Sequence, residues 1–172
     1  DCFSWIFSRR ASLLSFFLSN LNLAADEFDI SAKEIFIDKE KEIIIGKGSV
    51  LAQDSEGKLI YADKITYKKS IEFLLAEGKV KITDNEGNIL KANKASYDKA
   101  NEKIITYNNT ELILREGYKL FGKNISYNTI EKTLKSSENS IFNDIDGNII
   151  EVSMFQYDIK NNLFSSIGKI KI

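Results

Sequence analysis

The acidic side chains carry the most evident chemistry in this sequence. Histidine is absent and Cys2 is the single cysteine, so no Ser-His-Asp triad, Cys-His pair or Cys/His zinc site can be assembled. A disulfide within the chain is excluded for the same reason. Two kinds of carboxylate chemistry remain open, calcium binding and general acid–base catalysis by paired carboxylates.

The segment "NDIDGN", Asn143 to Asn148, is the one most similar to a calcium-binding loop. Its counterparts elsewhere in the chain read "QDSEGK", "TDNEGN" and "LREGYK" and do not offer the same oxygen ligands. The downstream glutamate of an EF-hand is also missing at the required spacing. We therefore interpret the segment as a turn and predict neither a metal site nor a cofactor.

Paired carboxylates such as Glu40/Glu42 and Asp144/Asp146 lie in predicted turns or on exposed alternate positions. A solvated face explains them better than a glycosidase pair, which needs two carboxylates converging on one cleft. A carbohydrate-active protein stays as a hypothesis, but no such pair stands where the sequence departs from its repeat. The sequence predicts no catalytic residue and a protein that is not an enzyme.

The balance of charge narrows the choice of partners. Lys and Arg number 24 against 25 Asp and Glu, for a formal net charge of −1, which argues against a nucleic-acid-binding protein. Proline is absent from all 172 residues. Proline is one residue that blunts exposed sheet edges, so its absence leaves predicted edges free to pair, although genome composition explains the same usage.

The first 25 residues have the pattern of an export signal. Arg9 and Arg10 precede an apolar stretch from about Ala11 to Ala24, which ends in small residues before Asp26. This order of basic, apolar and small residues is typical of a cleaved secretory signal peptide, and the stretch is short for a membrane span. An amphipathic first helix or an uncleaved anchor are the alternatives. Because the chain begins with Asp1 rather than Met, we expect a fragment of a longer protein.

From about residue 30 the sequence repeats every 30 residues, and four consecutive blocks align without a gap. The second block, "YADKITYKKSIEFLLAEGKVKITDNEGNIL", shows the pattern most fully. One column of glycines and one of tyrosines recur at this spacing, namely Gly57, Gly87, Gly117, Gly147 and Tyr67, Tyr97, Tyr127, Tyr157. A second glycine column contains Gly48, Gly78 and Gly168 but has Asn108 and Glu138 in the third and fourth blocks. We expect a locally different backbone at those two positions.

Each block is predicted to form two strands. In the second block the residues from Leu74 to Ile82 alternate between apolar or small and charged side chains, the period of a half-buried strand. The tetrapeptides ending in the first glycine column suit turns, because glycine accepts a positive φ. The domain, residues 26–172, is therefore predicted to be all-β with about ten antiparallel strands. Two architectures remain open, a solenoid-like jelly-roll whose two sheets enclose a core and a closed up-and-down barrel.

The inward positions form an apolar stripe that is a candidate lipid-binding surface. Its members are Leu74, Val80, Ile82, Leu112, Leu114, Phe142 and Ile170. Plain core packing explains such residues equally well, and a groove between long antiparallel sheets would accept apolar chains. The tyrosine column is interpreted as core with its hydroxyl groups bonded at the rim.

These repeats resemble the OstA-like (LptA-like) β-jelly-roll family of lipopolysaccharide (LPS) transport over residues 28–172. The segments that carry the resemblance are "EFDISAKEIFIDKEKEIIIGKGSV", "ADKITY" and "GKV". The "EFDISAKEI" opening and the ungapped blocks are most similar to the N-terminal periplasmic domain of the LPS-assembly protein LptD. The resemblance implies an open, V-shaped jelly-roll in the periplasm, associated with the outer membrane, whose interior shields lipid A acyl chains.

The resemblance also implies the partners. They are lipopolysaccharide, other jelly-roll proteins of the transport bridge paired edge to edge, and an outer-membrane barrel formed by a missing C-terminal part of the same chain. The free periplasmic bridge protein of the family is one alternative. The other is an exported structural or adhesive β-repeat protein with a solid core.

Overall fold

A computed structural model describes residues 28–171, so the predicted leader lies outside the described residues. The strands of the N-terminal half are β1 Phe28–Ser31, β2 Glu34–Asp38, β3 Ile43–Asp54, β4 Leu59–Lys68, β5 Phe73–Thr83 and β6 Ile89–Asp98, with a 3-10 turn at Lys69–Ile71. Those of the C-terminal half are β7 Lys103–Ile113, β8 Lys119–Lys123, β9 Ser126–Asn128, β10 Thr133–Ser136, β11 Ser140–Asn143, β12 Ile149–Asp158 and β13 Leu163–Lys171. No helix among the described residues is long and apolar enough to cross a membrane.

The strands form one antiparallel sheet in which sequence neighbours pair. The order is β1-β3-β4-β5-β6-β7-β8-β11-β12. In the other half of the sheet β9 pairs with β7 and β10, and β10 pairs with β12. At the two ends, β2 pairs with β3 and β13 pairs with β12. The segments β1/β2, β8/β9 and β10/β11 are each one interrupted strand, so the prediction of about ten strands is confirmed. Within residues 28–171 the two outer strands do not pair with each other. The jelly-roll prediction is therefore confirmed, and the closed barrel is wrong.

Every long strand is bent near its middle by a register shift. The shifts fall between Lys47 and Val50, between Glu77 and Val80, and at matching places in later strands. Backbone angles at the second glycine column are left-handed, with φ of +76° at Gly48 and +78° at Gly78. Such β-bulges bend a strand and increase its twist. Repeated in register, they form a crease that runs across the whole sheet.

The crease folds the sheet over so that its two halves face each other. We call the half with the tyrosine column the tyrosine layer, and the half that contains Leu90, Leu112 and Leu120 the leucine layer. Phe28 of the leucine layer lies 4.9 Å from the Tyr67 ring of the facing layer, centroid to centroid. At the other end Phe142 lies 5.3 Å from Phe164. The single sheet thus encloses its own hydrophobic core, and the free ends of the layers form a mouth opposite the crease.

Side chains are small next to the crease and larger towards the mouth, because the space between the layers widens in that direction. Small residues stand next to the crease, where a Cβ on Gly46 would approach Val50 Cγ1 to 2.9 Å and one on Gly122 would approach Ser140 Oγ to 2.7 Å. Large residues, including Tyr67 and Leu90, lie buried towards the mouth. This gradient lets both layers pack at the density of a protein interior.

The turns at the mouth lie at the tetrapeptides that end in the first glycine column, as predicted. Asp144 Oδ1 accepts backbone N–H groups from Asp146 and Asn148 at 2.9 and 2.8 Å, and Gly147 has a φ of +87°. The Asp54 and Asp84 carboxylates cap their turns in the same way. These bonds hold the backbone of the turn, so the interpretation of "NDIDGN" as a turn is confirmed.

The different backbone expected at two positions of the second glycine column is wrong for Asn108 and confirmed for Glu138. Asn108 keeps a left-handed φ of +63°, close to those of Gly48 and Gly78, and its strand has the same register shift as β5. At Glu138 the strand is interrupted between β10 and β11. The Asn108 N–H donates to Asn124 Oδ1 at 2.9 Å, and the Asn124 amide bonds to the Glu138 carboxylate, so side-chain bonds replace part of the ladder where β8/β9 and β10/β11 are interrupted.

Adding one methyl group at Gly78 tests whether the crease is closely packed. Gly78→Ala should lower the free energy of unfolding by about 2–3 kcal/mol, because alanine is strained at this φ and its Cβ would lie 2.8 Å from Asp63 Cβ. Gly57→Ala is the matched control, since Gly57 has a φ of +86° with no atom within 4 Å of the added Cβ. It should cost about 1 kcal/mol. Urea unfolding measures both, and equal losses would contradict the crease as a close-packed element.

Candidate functional site

The structure places six of the seven predicted stripe residues in the closed core. Leu74, Val80, Ile82, Leu112, Leu114 and Phe142 are buried. Ile170 belongs to the same inner face, since it pairs with the buried Val152, but it is 50% exposed on the outermost strand. The sequence pattern therefore identified inward positions, and the position of each strand in the sheet decides which of them are covered.

The stripe residues form two facing walls. Cross-strand pairs connect Ile82 through Leu90 to Leu112, and Leu112 through Leu120 to Phe142, along one row of the leucine layer. Leu74 lies in the tyrosine layer, paired with Tyr97. Val80 stands at the crease beside Ala92. The row from Ile82 to Phe142 is apolar in every repeat, and this continuity is what an acyl chain would require, whereas the buried Thr110 and Ser140 make the wall beside the crease more polar.

In this structure the space between the walls is filled by side chains. The last repeat holds an aromatic cluster of Tyr118, Phe142, Phe155, Tyr157 and Phe164. The gap that these rings border has no room for a water molecule. Lipid contact at these positions would require the two walls to separate.

Sequence reasoning missed several members of this cluster. Phe155 and Phe164 occupy the columns of Ile125 and Leu134 in the preceding repeat. The 30-residue register itself was the signal, because an aromatic residue in an inward column must face the same core. Tyr118 and Phe28 lie outside the period-2 runs and carried no comparable signal.

The inner face is uncovered at both ends of the sheet. At the start, Ile35 and Ile37 of β2 are 45% and 63% exposed although they pair with the inward residues Gly46 and Ile44. At the far end, β13 leaves Ile170 uncovered. Each outer strand also has one side without a partner within residues 28–171.

The tyrosine column lies in the core, as predicted, and its hydroxyl groups reach the mouth. Tyr97 O–H donates to Glu102 Oε2 at 2.6 Å, and Tyr157 O–H donates to Asn162 at 2.8 Å. The hydroxyl of Tyr127 is buried and has no hydrogen-bond partner among residues 28–171. Rim bonding thus holds for Tyr97 and Tyr157 but not for Tyr127.

A buried charge cluster, which we call the clasp, joins the two layers across the mouth. Lys58, from the turn that ends the leucine layer, donates to Tyr97 Oη at 2.6 Å and lies 3.7 Å from Glu102 Oε2. Its Nζ also contacts Asp54 Oδ2 at 3.1 Å. Glu102 further pairs with Lys99 and accepts the Thr129 hydroxyl at 2.5 Å. The carboxylate is satisfied from several directions, as a buried charge must be.

The clasp sets the ionisation of its members. Burial would raise the pKa of Glu102, but hydrogen bonds from Lys99, Thr129 and Tyr97 outweigh it and lower the pKa to about 2. Burial and the hydrogen bond to Glu102 raise the pKa of Tyr97, so its hydroxyl remains a donor at neutral pH. The charges are therefore fixed across the neutral range, which suits a structural role.

A second ion pair crosses the mouth one repeat further on, where Lys132 Nζ lies 2.9 Å from Glu86 Oε1. Across the last pair of turns, around Gly117 and Asn161, the described residues show no ion pair between the layers. The mouth is therefore held by charges in the earlier repeats and by aromatic contacts in the last one.

Comparison with known proteins supports the fold. The chain matches no protein-family model and no curated protein sequence. Its structure is similar to that of LptH, the LptA homologous periplasmic component of the conserved lipopolysaccharide transport device from Pseudomonas aeruginosa, with a TM-score of 0.57 and 14% sequence identity. The match covers 65% of this chain and 85% of LptH. At this identity the likeness shows an LptA-like fold.

The clasp predicts an acid-dependent loss of stability. Since the folded pKa of Glu102 lies at about 2 and an unfolded glutamate titrates near 4.3, its contribution is complete above pH ~4.3 and is lost as the pH falls towards 2. That contribution is on the order of 3 kcal/mol. The free energy of unfolding of the wild type should therefore fall between pH 5 and pH 2 by about that much more than the same quantity for Glu102→Gln.

Denaturant unfolding at a series of pH values measures this difference. Glu116→Gln, at an exposed turn position, is the matched control and should follow the wild-type curve. A Glu102→Gln curve parallel to the wild type would show that the carboxylate does not anchor the mouth.

Proposed function

We propose that this chain is a non-catalytic domain of lipopolysaccharide transport and assembly that shields lipid A acyl chains between its two layers. The observation that carries the proposal is an inner face with a row of apolar residues in every repeat, from Ile82 to Phe142, that is uncovered at both ends of the sheet. The LptA-like fold supports it, because the LptH structure is described as a periplasmic component of a lipopolysaccharide transport device.

The construction of the sheet explains how a filled interior could admit lipid. Within residues 28–171 the strand ladders run along each layer, and the layers are connected only by the strands that cross the crease. Widening the mouth therefore breaks no ladder hydrogen bond. It separates side-chain contacts and the two sets of charges that close the mouth.

Hydrophobic burial provides the driving force. Each CH₂ group removed from water contributes about 0.8 kcal/mol, so one acyl chain of a dozen carbons gains on the order of 10 kcal/mol. When the acyl chain enters, the wall residues exchange contacts with each other for contacts with that acyl chain, and they remain out of water. The balance then depends on the cost of opening the clasp, whose buried charges lose their partners.

Strand pairing at the sheet edges is the proposed means of assembly. The outer strands β2 and β13 end the sheet, and no proline is present in the chain to block them. Unpaired edges are templates for an added strand. A second jelly-roll module docked there would continue both the sheet and the apolar interior, because Ile37 and Ile170 stand uncovered at these edges.

We further infer that the domain works in the periplasm next to the outer membrane, as the N-terminal part of an LPS-assembly protein with its own barrel. The "EFDISAKEI" opening and the ungapped repeats support this choice over the free bridge protein. Lipopolysaccharide and neighbouring jelly-roll modules are then its partners.

A structural β-repeat protein with a solid core is the second candidate function. The filled interior favours it, since the aromatic cluster of the last repeat leaves no space between the layers. The two candidates differ in one property, the ability of the layers to accept an apolar chain.

Photocrosslinking separates them. A photoreactive amino acid at Leu112, on the inner face, should form an adduct with LPS in cells, whereas the adjacent Ile113, on the outer face, should not. Leu74 and Leu75 provide the same contrast in the tyrosine layer. Phe142 and Val80 test the remaining parts of the inner wall. Adducts at neither Leu112 nor Leu74, in variants that fold, would support the solid core and contradict lipid shielding.

Docking at the edge is tested by Ile170→Asp. If β13 pairs with a second module, the half-exposed Ile170 becomes buried, and a carboxylate there should weaken the association about tenfold or more. Ile130→Asp is the control, since Ile130 lies 75% exposed in a turn away from both edges. Sedimentation equilibrium measures self-association, and an equal effect of the two substitutions would argue against docking through β13.

A further inference from the structure

The outer face of the leucine layer carries a groove that the lipid-shielding role does not use. Its volume is about 1030 Å³, at the upper limit of small-ligand sites. The lysines and glutamates that border it point away from the core, and they alternate along the strands with buried residues such as Val80 and Val152, which line its floor. Core packing therefore does not dictate their identity.

Positive charge dominates this groove. Its walls contain six lysines and two glutamates, namely Lys79, Lys81, Lys91, Lys123, Lys169, Lys171, Glu111 and Glu151. Lys91 pairs with Glu111 at 3.0 Å and Lys171 with Glu151 at 3.9 Å. The surplus of four cations stands in a chain whose formal net charge is −1. The groove is therefore a local basic site.

The floor combines apolar and amide groups. Phe121 and Ile141 are 38% and 41% exposed and are cross-strand partners, so they form one small apolar platform. Asn93, Asn109 and Asn139 border the same space. Amide side chains both donate and accept hydrogen bonds, and an aromatic face offers a surface on which a flat apolar body can rest.

We propose that this groove binds a phosphorylated saccharide. The lysines would pair with its phosphate groups, the three asparagines would bond to its hydroxyl groups, and Phe121 would pack against a sugar ring. An acidic peptide would match the charge, but it would leave the asparagine amides and the ring platform without a matching group. The choice of a saccharide derived from LPS rests on the proposed function, but the site is on the opposite face of the sheet from the apolar interior, so its test does not depend on lipid shielding.

Titration with a soluble ligand tests the proposal without involving the interior. The probe is a deacylated, phosphorylated core oligosaccharide released from LPS, followed by calorimetry and by amide chemical shifts on the full chain. We expect saturable binding, with shifts concentrated on the groove strands, that weakens as salt is raised. The same oligosaccharide after removal of its phosphates should bind about tenfold more weakly or worse. Inorganic phosphate at equal phosphate concentration should compete poorly.

Charge reversal locates the site. Lys81→Glu combined with Lys123→Glu should raise the Kd about tenfold or more. The neutral pair Lys81→Gln and Lys123→Gln should have a smaller effect in the same direction. Lys103→Glu with Lys135→Glu makes the same change of charge at exposed positions of the tyrosine layer and should leave the Kd within about twofold. Thermal unfolding checks that each variant is folded.

Several outcomes would overturn the proposal. Equal binding of the phosphorylated and dephosphorylated oligosaccharides would remove the role of the lysines. Equal effects of the two charge reversals would show that binding depends on the overall charge of the protein and not on the groove. Tighter binding of an acidic peptide than of the oligosaccharide would show that the groove binds a protein partner. Because the probe has no acyl chain, none of these results depends on whether lipid enters the interior.

Discussion

The crease is the constraint on which the rest of this structure depends. Long antiparallel strands of ten to twelve residues would form an extended sheet with one apolar face in water. Register shifts recur at the same height along the sheet, with a left-handed backbone at Gly48 in β3, Gly78 in β5 and Asn108 in β7, and the apolar face closes on itself. A single sheet therefore forms both layers, and the hydrophobic core lies between the two halves of the same strands. The small residues beside the crease follow from this geometry, because a wedge has no room for large side chains at its apex.

The same geometry leaves the mouth as the place where the molecule can change. Hydrogen-bonded ladders stiffen each layer, but only side chains hold the layers together opposite the crease. The buried charges around Glu102 make that closure specific, since separating them would leave ions without partners in a poorly solvated site. Aromatic contacts close the last repeat, where the described residues show no ion pair between the layers. In the proposed function these are the contacts that separate when an acyl chain enters.

Much of this fold could be predicted from the sequence, because the 30-residue register repeats the same physical demands. The turn glycines, the buried tyrosines and the inward alternation from Leu74 to Ile82 are local patterns, and they were predicted. Exposure of Ile170 depends on its strand being the last in the sheet, and strand order is not a local property. The clasp brings Lys58 to Glu102 from turns that are far apart in sequence, so its charges read individually as ordinary surface residues. The basic groove was not predicted for a similar reason, since its lysines are dispersed over four repeats and are balanced by acidic residues in the net charge.

The distance between the two layers is the quantity that tests this account most directly. Spin labels at positions 103 and 119, on the outer faces of the tyrosine and leucine layers, report the opening of the mouth in a background where Cys2 is replaced by Ser. Labels at positions 68 and 103, both in the tyrosine layer, provide the control. Pulsed electron–electron distance measurements should show the first pair moving apart by a few ångströms when LPS binds, with the second pair unchanged. Binding of LPS with both distance distributions unchanged would contradict an interior that opens to hold acyl chains.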